Sequence, residues 1–303
     1  MADLVAVVDL GSSAVRCVLA KVWHEVGYTI LVRTRVPTRL GGGAPGRLSR
    51  GAIHRTLAAV HHFLAEYSGK RSGPRVIAVA TAAVRDADNR EELLMPLRRD
   101  LGIEVSVLTA RDEARLGVTA AARSLAFDEA VVADLGGSSL QLSRVRGGAM
   151  VSTVSLPLGA VRNTRRFLRH DPPTPRELRT LRSEIRRHLV DGLPGARPRD
   201  LVVGLGGTIR NLAAIHLREH HGKRKHRHGL VLRQSDVTAI RERLEGRSAR
   251  KRRKISGLRP DRADIILAGA IAIEDLLVFG GYRRLMVCTR GVYDGVLLRE
   301  TFE

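Results

Sequence analysis

One short pattern occurs twice in this chain of 303 residues. The β-branched run Leu4–Val8 ends in Asp-Leu-Gly-Ser-Ser, and a second extended run, Val15–Val22, follows at once. The same order returns at Ala130–Ala133, with Asp-Leu-Gly-Gly-Ser-Ser and then Leu140–Val145. Glycine and serine are the residues that a tight turn between two strands favours. The repetition predicts an internal duplication, and therefore two domains of similar fold.

Predicted strands and helices alternate through the rest of the chain. The further strands are predicted at Val76–Ala80, Val105–Leu108, Leu201–Val203 and Leu285–Cys288. The helices are predicted at Ser49–Tyr67, Arg90–Leu101, Arg111–Ala122, Pro175–Leu189, from Thr208 to Ile215, Pro260–Phe279 and Val292–Phe302. This alternation is typical of an α/β fold with mixed sheets.

The charge of the chain is strongly positive. Lysine and arginine number 52 against 31 acidic residues, which leaves +21, and only six of the 52 are lysines. A polyanionic partner is one interpretation, because guanidinium groups match phosphate oxygens, and an arginine-rich codon usage is the other. Aromatic residues are 3%, which leaves little surface for stacking bases and disfavours a specific nucleic-acid partner.

Two basic runs, 216–228 and Arg250–Lys254, are interpreted as solvated loops. The alternatives are a metal site at His216 and His220, and sequence-independent binding of nucleic acid.

The sequence favours a cytoplasmic protein without a membrane partner. Cys17 and Cys288 lie far apart in apolar surroundings, which predicts buried, reduced thiols. The N-terminal residues lack the basic region of a signal peptide. The longest apolar run, Ile265–Ile273, is too short to span a bilayer.

The two repeated turns have the composition of phosphate-binding loops. Glycine lets backbone N–H groups approach an anion, serine hydroxyls donate further hydrogen bonds, and the leading aspartate can hold Mg²⁺. Two such loops facing each other across a duplicated fold would form a cleft for a chain of phosphates. A third glycine-rich turn, Gly204–Thr208, precedes a helix and adds an anion site at the helix N-terminus.

These residues resemble the exopolyphosphatase and guanosine pentaphosphate phosphohydrolase (Ppx/GppA) family, in its short form, within the actin-like ATPase superfamily. The similar stretches run in order along essentially the whole chain: VAVVDLGSSAVR, ATAAVRDADNREELL, VLTARDEARLG, VVADLGGSSLQL, VSLPLGAVRNTRRF, VVGLGGTIRNLA and ISGLRPDRADIILAGAIAIEDLL. The resemblance implies two similar actin-like (ribonuclease H-like) domains, with mixed sheets flanked by helices and an interdomain cleft. The expected domains are 1–121, with the helix 290–303 packed on it, and 122–289.

The resemblance also implies roles for particular residues. Glu113 matches the catalytic glutamate that orients or deprotonates the attacking water, and Arg85 matches an arginine that contacts phosphate. Asp9 and Asp134 match acids that help to hold Mg²⁺ or Mn²⁺. The phosphate-binding positions are Gly11, Ser12, Ser13, Gly136, Gly137, Ser138, Gly206, Gly207 and Thr208. Without the resemblance, the sequence favours Glu113 as a helix-surface partner of Arg115 or of another nearby basic residue.

Four positions depart from the usual pattern of the family. The first loop usually reads Asp-x-Gly-Ser-Asn-Ser, and here Ser13 and Ala14 replace the asparagine and the last serine. The second usually reads Asp-x-Gly-Gly-Gly-Ser-x-Glu, and here Ser138 replaces the third glycine and Gln141 the glutamate. These changes remove hydrogen-bond donors and one carboxylate.

The function expected from the resemblance is Mg²⁺-dependent release of terminal phosphate from inorganic polyphosphate. One alternative is the hydrolysis of guanosine pentaphosphate. Another, which the four departures motivate, is a regulator that binds polyphosphate or guanosine polyphosphates without hydrolysing them. For the oligomeric state, a homodimer is one expectation.

Overall fold

The computed structural model describes residues 2–67, 73–193, 201–220 and 226–302. The chain divides into two compact units, the first formed by Met1–Leu116 with Val292–Glu303 and the second by Gly117–Gly291. The domain boundaries expected from the resemblance are 121/122 and 289/290. The boundaries between the two units lie at 116/117 and 291/292.

The first unit contains a mixed sheet with helices on its faces. Its strands are β1 (Asp3–Leu10), β2 (Val15–Trp23), β3 (Gly27–Val36), β4 (Arg75–Ala80) and β5 (Val105–Val107), in the order β3-β2-β1-β4-β5. Its helices are α1 (Arg50–Tyr67), α2 (Ala82–Arg85), α3 (Glu91–Leu101), the start of α4 (Ala110–Ala122) and α11 (Val292–Phe302). β1 is antiparallel to β2 and parallel to β4.

Both faces of β1 are buried, because its side chains alternate between two apolar clusters. Ala6 and Val8 pack in the cluster that contains Phe63 of α1. Val5 packs on the opposite face with Val296 of α11. The first unit therefore needs α11 to cover one side of its sheet.

The second unit repeats this arrangement with one more strand. Its strands are β6 (Glu129–Leu135), β7 (Leu140–Arg146), β8 (Ala149–Leu156), β9 (Leu201–Gly206), β10 (Val231–Arg233) and β11 (Arg284–Val287), in the order β10-β11-β9-β6-β7-β8. Its helices are α5 (Ala160–Phe167), α6 (Pro175–Gly192), α7 (Gly207–His220), α8 (Gln234–Glu245), α9 (Ala249–Arg252) and α10 (Ile266–Gly280). α10 is buried along almost its whole length.

The first four strands of each sheet have the same topology. In each, an antiparallel meander of three strands is followed by a strand that pairs in parallel with the first of them. The predicted α/β fold of two similar domains with mixed sheets is therefore confirmed.

Two sequence predictions are wrong. The helix predicted from Pro260 begins only at Ile266, and Pro260–Arg262 forms a short 3-10 turn whose Arg262 is buried. The run Arg250–Lys254 is not a solvated loop, since it begins in α9 and Arg252 is buried. Both segments contain a buried arginine, which the charge of the residue alone does not indicate.

The remaining sequence expectations have mixed outcomes. Cys17 and Cys288 are buried free thiols, as predicted, and burial together with the nearby charge of Asp9 raises the pKa of Cys17 to about 12. The interpretation of 216–228 as a solvated loop is wrong for 216–220, which belong to α7, where the His216 and His220 rings lie 4.7 Å apart. Residues 221–225 lie outside the described residues. Among the described helices, none combines the length and apolar character needed to cross a membrane.

Candidate active site

The first predicted phosphate loop lies between β1 and β2. The carbonyl oxygens of Ser12 and Ser13 accept hydrogen bonds from the N–H groups of Gly41 and Arg39, over 2.8 and 3.3 Å. Carbonyl and N–H point in opposite directions across a trans peptide, so the N–H groups of Ser13 and Ala14 point away from that contact. Neither N–H donates to a residue in the described part of the chain. This loop therefore offers a pair of backbone donors.

The second loop is fixed in the same way by the first turn of α5. The carbonyl oxygens of Gly136, Gly137 and Ser138 accept hydrogen bonds of 2.9–3.2 Å from residues 159–162. The N–H groups of Gly137, Ser138 and Ser139 consequently point away from α5, and they donate to none of the residues that the structure describes. Successive backbone N–H groups that share a direction form a nest for an anion.

The second loop depends on close contact with Gly159. A Cβ atom at Gly159 would lie 2.2 Å from the carbonyl carbon of Ser138 and 2.3 Å from that of Gly137. Gly159 has ordinary extended dihedral angles, so the requirement for glycine comes from this contact and not from its conformation.

Asp134 lies near the end of β6, just before the second loop. Two glycines approach its carboxylate closely, since a Cβ at Gly206 would lie 3.2 Å from Oδ1 and a Cβ at Gly117 would lie 3.6 Å from Oδ2. Gly206 also has a φ of +101°, which favours glycine, and its Cβ would lie 2.2 Å from the carbonyl oxygen of Leu135. The third glycine-rich turn thus approaches Asp134 closely.

Gln141, which replaces the usual glutamate, lies opposite Asp134 in the β6–β7 register. It is buried, and its Nε2 donates a hydrogen bond of 3.1 Å to Oγ of Ser139. Because this Oγ already accepts, the Ser139 hydroxyl hydrogen is available to another acceptor. Sequence analysis did not select Ser139, although it is the second serine of the repeated turn.

Asp9 has a different environment at the end of β1. Its Oδ2 accepts a hydrogen bond of 2.9 Å from Nη1 of Arg16, its cross-strand neighbour in β2. Sequence analysis missed Arg16, although the spacing across the turn places the two residues opposite each other.

The third loop contributes through its backbone. Thr208 is fully buried, and its Oγ1 faces Gly269 of α10, where a Cβ would lie 2.5 Å away. This Oγ1 has no hydrogen-bond partner among the described residues. The backbone N–H of Thr208 is a second donor, because it lies in the first turn of α7, where N–H groups lack partners within the helix. The guanidinium of Arg262 lies against Gly207, 2.3 Å from the position that a Cβ would take.

Arg85 and Glu113, to which the resemblance assigns roles in catalysis, are in contact. Nη1 of Arg85, at the end of α2, donates hydrogen bonds of 2.9 Å to both Oε2 of Glu113 and the carbonyl oxygen of Leu108. Glu113 is buried, with 8% of its surface exposed, so the interpretation as a helix-surface partner of Arg115 is wrong.

The donor set suits a hard divalent cation only in part. Mg²⁺ usually keeps several waters and binds through one or two carboxylates together with substrate phosphates. Asp134, whose carboxylate lies beside Gly206 and Gly117, fits this description. Asp9 fits less well because Arg16 already occupies one of its oxygens. Within the described ranges, no three His, Cys, Asp or Glu side chains are grouped as a complete metal site.

Known proteins resemble this chain over almost its whole length. Residues 18–302 match the family model described as the Ppx/GppA phosphatase family. The chain belongs to this family. Like other Ppx/GppA proteins, it has curated relatives that are named exopolyphosphatases. It is 32% identical to Exopolyphosphatase 2 of Mycobacterium tuberculosis, with 97% of each chain covered. It is 28% identical to Exopolyphosphatase 1 of the same species, over 97% of this chain and 87% of the relative.

Solved Ppx/GppA structures show the same fold. The family member from Aquifex aeolicus is 30% identical, with a TM-score of 0.81 over 99% of this chain and 98% of that one. An exopolyphosphatase from Cytophaga hutchinsonii is 23% identical, with a TM-score of 0.90 over 99% and 98%, and supports the fold alone. The predicted family is confirmed.

Proposed function

We propose that this chain releases the terminal phosphate of inorganic polyphosphate with the help of Mg²⁺ or Mn²⁺. The chain is a hydrolase acting on phosphoric anhydrides, in keeping with its family and its named relatives. The observation that carries the more specific proposal is the second loop, where three backbone N–H groups point in one direction beside Asp134. Such a nest is suited to the oxygens of a phosphate group.

Glu113 is the proposed base, and Arg85 the group that contacts the terminal phosphate. The ion pair holds the Glu113 carboxylate in place before substrate binds. A terminal phosphate attracts the guanidinium and thereby leaves a carboxylate oxygen of Glu113 available to a water molecule. The water oxygen forms a bond to phosphorus while its proton passes to Glu113, and the bridging P–O bond breaks to leave a chain shorter by one phosphate.

The glycine-rich loops supply electrostatic stabilisation. Their N–H groups are fixed before the reaction, so they stabilise negative charge on the phosphate oxygens at little reorganisation cost. The Ser139 hydroxyl, oriented by Gln141, adds a further donor. Asp134 would hold the divalent cation, which when bound neutralises charge on the transferred group.

Two features favour polyphosphate over a guanosine nucleotide. The net charge of +21 suits a long polyanion, and aromatic residues, which stack on bases, make up only 3% of the chain. A protein that binds without hydrolysing is the second candidate, because Gln141 stands where the family usually has a carboxylate.

The test is phosphate release from long-chain polyphosphate with Mg²⁺, compared with guanosine pentaphosphate. We expect release from polyphosphate that falls by about 10²–10⁴-fold in Glu113→Gln, with little change in affinity. Glu104→Gln, an exposed carboxylate of the first unit, serves as the control and should retain activity. Faster release from guanosine pentaphosphate would favour the nucleotide alternative. Tight binding without release from either substrate would identify a regulator.

A further inference from the structure

The basic run Arg250–Lys254 is held in a fixed position by its third residue. Arg252 points inward, where its Nε donates 2.9 Å to the carbonyl oxygen of Leu244 and its Nη1 donates 3.4 Å to that of Ala263. The other four side chains are exposed. We call Arg250, Lys251, Arg253 and Lys254 the basic cluster.

Further hydrogen bonds fix the start of α9. The Asp171 carboxylate accepts from the N–H of Ala249 with both oxygens, at 2.8 and 2.9 Å. The Ser248 hydroxyl accepts from the N–H of Lys251 at 3.3 Å. The backbone that carries the basic cluster is therefore ordered. Little backbone entropy is lost when the four side chains bind a ligand.

The basic cluster has no acidic partner in the part of the chain that the structure describes. None of its four cations forms an ion pair with any residue that the structure describes. Other exposed arginines of the second unit do have partners, for example Arg146 with Glu129 at 2.6 Å. Four exposed cations within five residues create a positive potential that attracts a polyanion.

The chain that follows the basic cluster runs back along α7 to the third glycine-rich loop. Gly257 packs on the backbone of Ala214, where a Cβ would lie 2.4 Å from the carbonyl oxygen. The N–H of Arg259 donates 2.8 Å to Oδ1 of Asn211. Arg262 then reaches Gly207 at the start of the helix. At 1.5 Å per residue, about 10 Å of helix separates Ala214 from Gly207.

We propose that the basic cluster binds the distal part of a polyphosphate chain whose end is held at the glycine-rich loops. This proposal rests on the proposed function, and it names a second contact for the same substrate. A linear polyphosphate carries negative charge along its whole length and presents only oxygens, which exposed guanidinium and ammonium groups recognise without any aromatic surface. We expect a tripolyphosphate held at the third loop not to reach the basic cluster, because about 10 Å of helix already separates Gly207 from Ala214, the contact of Gly257.

The test compares two variants with equal loss of charge. The first replaces the basic cluster: Arg250→Ser, Lys251→Ser, Arg253→Ser and Lys254→Ser. The control replaces four exposed arginines around the β10–β11 edge of the same unit: Arg227→Ser, Arg233→Ser, Arg283→Ser and Arg284→Ser. Affinity for long-chain polyphosphate is measured as a function of salt, and phosphate release is measured with long-chain polyphosphate and with tripolyphosphate.

We expect the cluster variant to lose about tenfold or more in affinity for the long chain, and its slope of log affinity against log salt to fall by about 3 for four lost contacts, as for single-stranded polyanions. Its kcat/KM for tripolyphosphate should remain within about twofold of wild type, since that substrate is not expected to reach the cluster. The control variant should keep most of its long-chain affinity.

Three results would overturn the proposal. Equal losses in both variants would show an effect of net charge alone. An equal loss with tripolyphosphate would place these cations at the reacting end. A larger loss of affinity for duplex DNA than for polyphosphate would identify a nucleic-acid surface. Absence of phosphate release by the wild type would refute the proposed hydrolysis, while the affinity comparison would still decide the role of the cluster.

Discussion

Arg85 and Glu113 form an ion pair of 2.9 Å across 28 residues of sequence. The side chains are 21% and 10% exposed, so solvent screens this pair only in part. The same Nη1 also donates to the carbonyl oxygen of Leu108, which fixes the guanidinium on the first unit. The proposed base is thus held by the group that is proposed to contact the substrate, and binding of an anion by Arg85 would change the hydrogen bonding of Glu113.

A double-mutant cycle measures this pair directly. Arg85→Met should destabilise the protein more than the double variant with Glu113→Gln does, because the single change leaves a buried carboxylate without its arginine. We expect a coupling free energy of about 1–3 kcal/mol from urea unfolding. Additive effects of the two substitutions would show that the ion pair contributes nothing to stability.

Gln141→Glu should make the second unit depend on a divalent cation. The new carboxylate would lie opposite Asp134, and like charges in such a position repel. It would also accept the Ser139 hydroxyl hydrogen, which Gln141 now leaves available. We expect a loss of about 1–3 kcal/mol in EDTA that Mg²⁺ largely restores.

The measurement for Gln141→Glu is the midpoint of thermal unfolding with EDTA and with Mg²⁺. Gln234→Glu, in the first turn of α8, adds the same charge away from the second loop and should show no such dependence. The same response from both variants would contradict a local effect at Asp134.

Gly159→Ala should disturb the second loop. Its Cβ would overlap backbone atoms of Gly137 and Ser138, which cannot rotate away as a side chain does. We expect a destabilisation of about 1–3 kcal/mol together with weaker binding of polyphosphate. Gly246→Ala is the matched control, because a Cβ at Gly246 meets no atom within 4 Å. Unchanged polyphosphate affinity in a folded Gly159→Ala protein would show that the loop geometry does not matter for binding.

Ionised Glu177 should stabilise the second unit, and this stabilisation should be lost at acidic pH. Hydrogen bonds from the His170 ring and from backbone N–H groups, including that of Thr174, lower the pKa of Glu177 from 4.5 to about 2. A folded-state pKa below the ordinary value means that this stabilisation is complete above about pH 4.5 and is lost as the pH falls towards 2.

The unfolding midpoint of the wild type, minus that of Glu177→Gln, should accordingly be positive at pH 6 and approach zero near pH 2. Asp191→Asn changes an exposed carboxylate of the same helix that accepts no hydrogen bond from the described residues, and it provides the control. A difference that is constant with pH would contradict the role of Glu177.

Much of the fold can be predicted from the sequence, since apolar periodicity and turn residues are local properties. The helix predicted at Val292–Phe302 has the observed bounds of α11, and the repeated turn correctly predicts β1 followed by β2. β3 and β8 are not predicted, because their exposed and partly buried positions contain polar and charged residues such as Arg33 and Arg35. Both strands nevertheless contain several β-branched residues, and they pair with β2 and β7.

The candidate site can be predicted from the sequence only in part, because contacts between residues far apart in the sequence define it. The loops are visible in sequence, since close approach of the backbone requires glycine. The direction of their N–H groups depends on which distant N–H groups donate to the loop carbonyl oxygens, as the bond from Gly159 to Ser138 shows. Nor does the run Arg250–Lys254 reveal which of its cations is buried, because the carbonyl groups that bind Arg252 come from Leu244 and Ala263.

The position of α11 in the sequence has a consequence for biosynthesis. The second unit is continuous in sequence, whereas the first sheet is covered on one face by residues that follow the second unit. During translation the ribosome therefore releases every strand of the first sheet long before the segment that covers it, and the second unit can complete its core in the meantime. The unit whose sheet is synthesised first therefore cannot complete its apolar core until its last helix, α11, has left the ribosome.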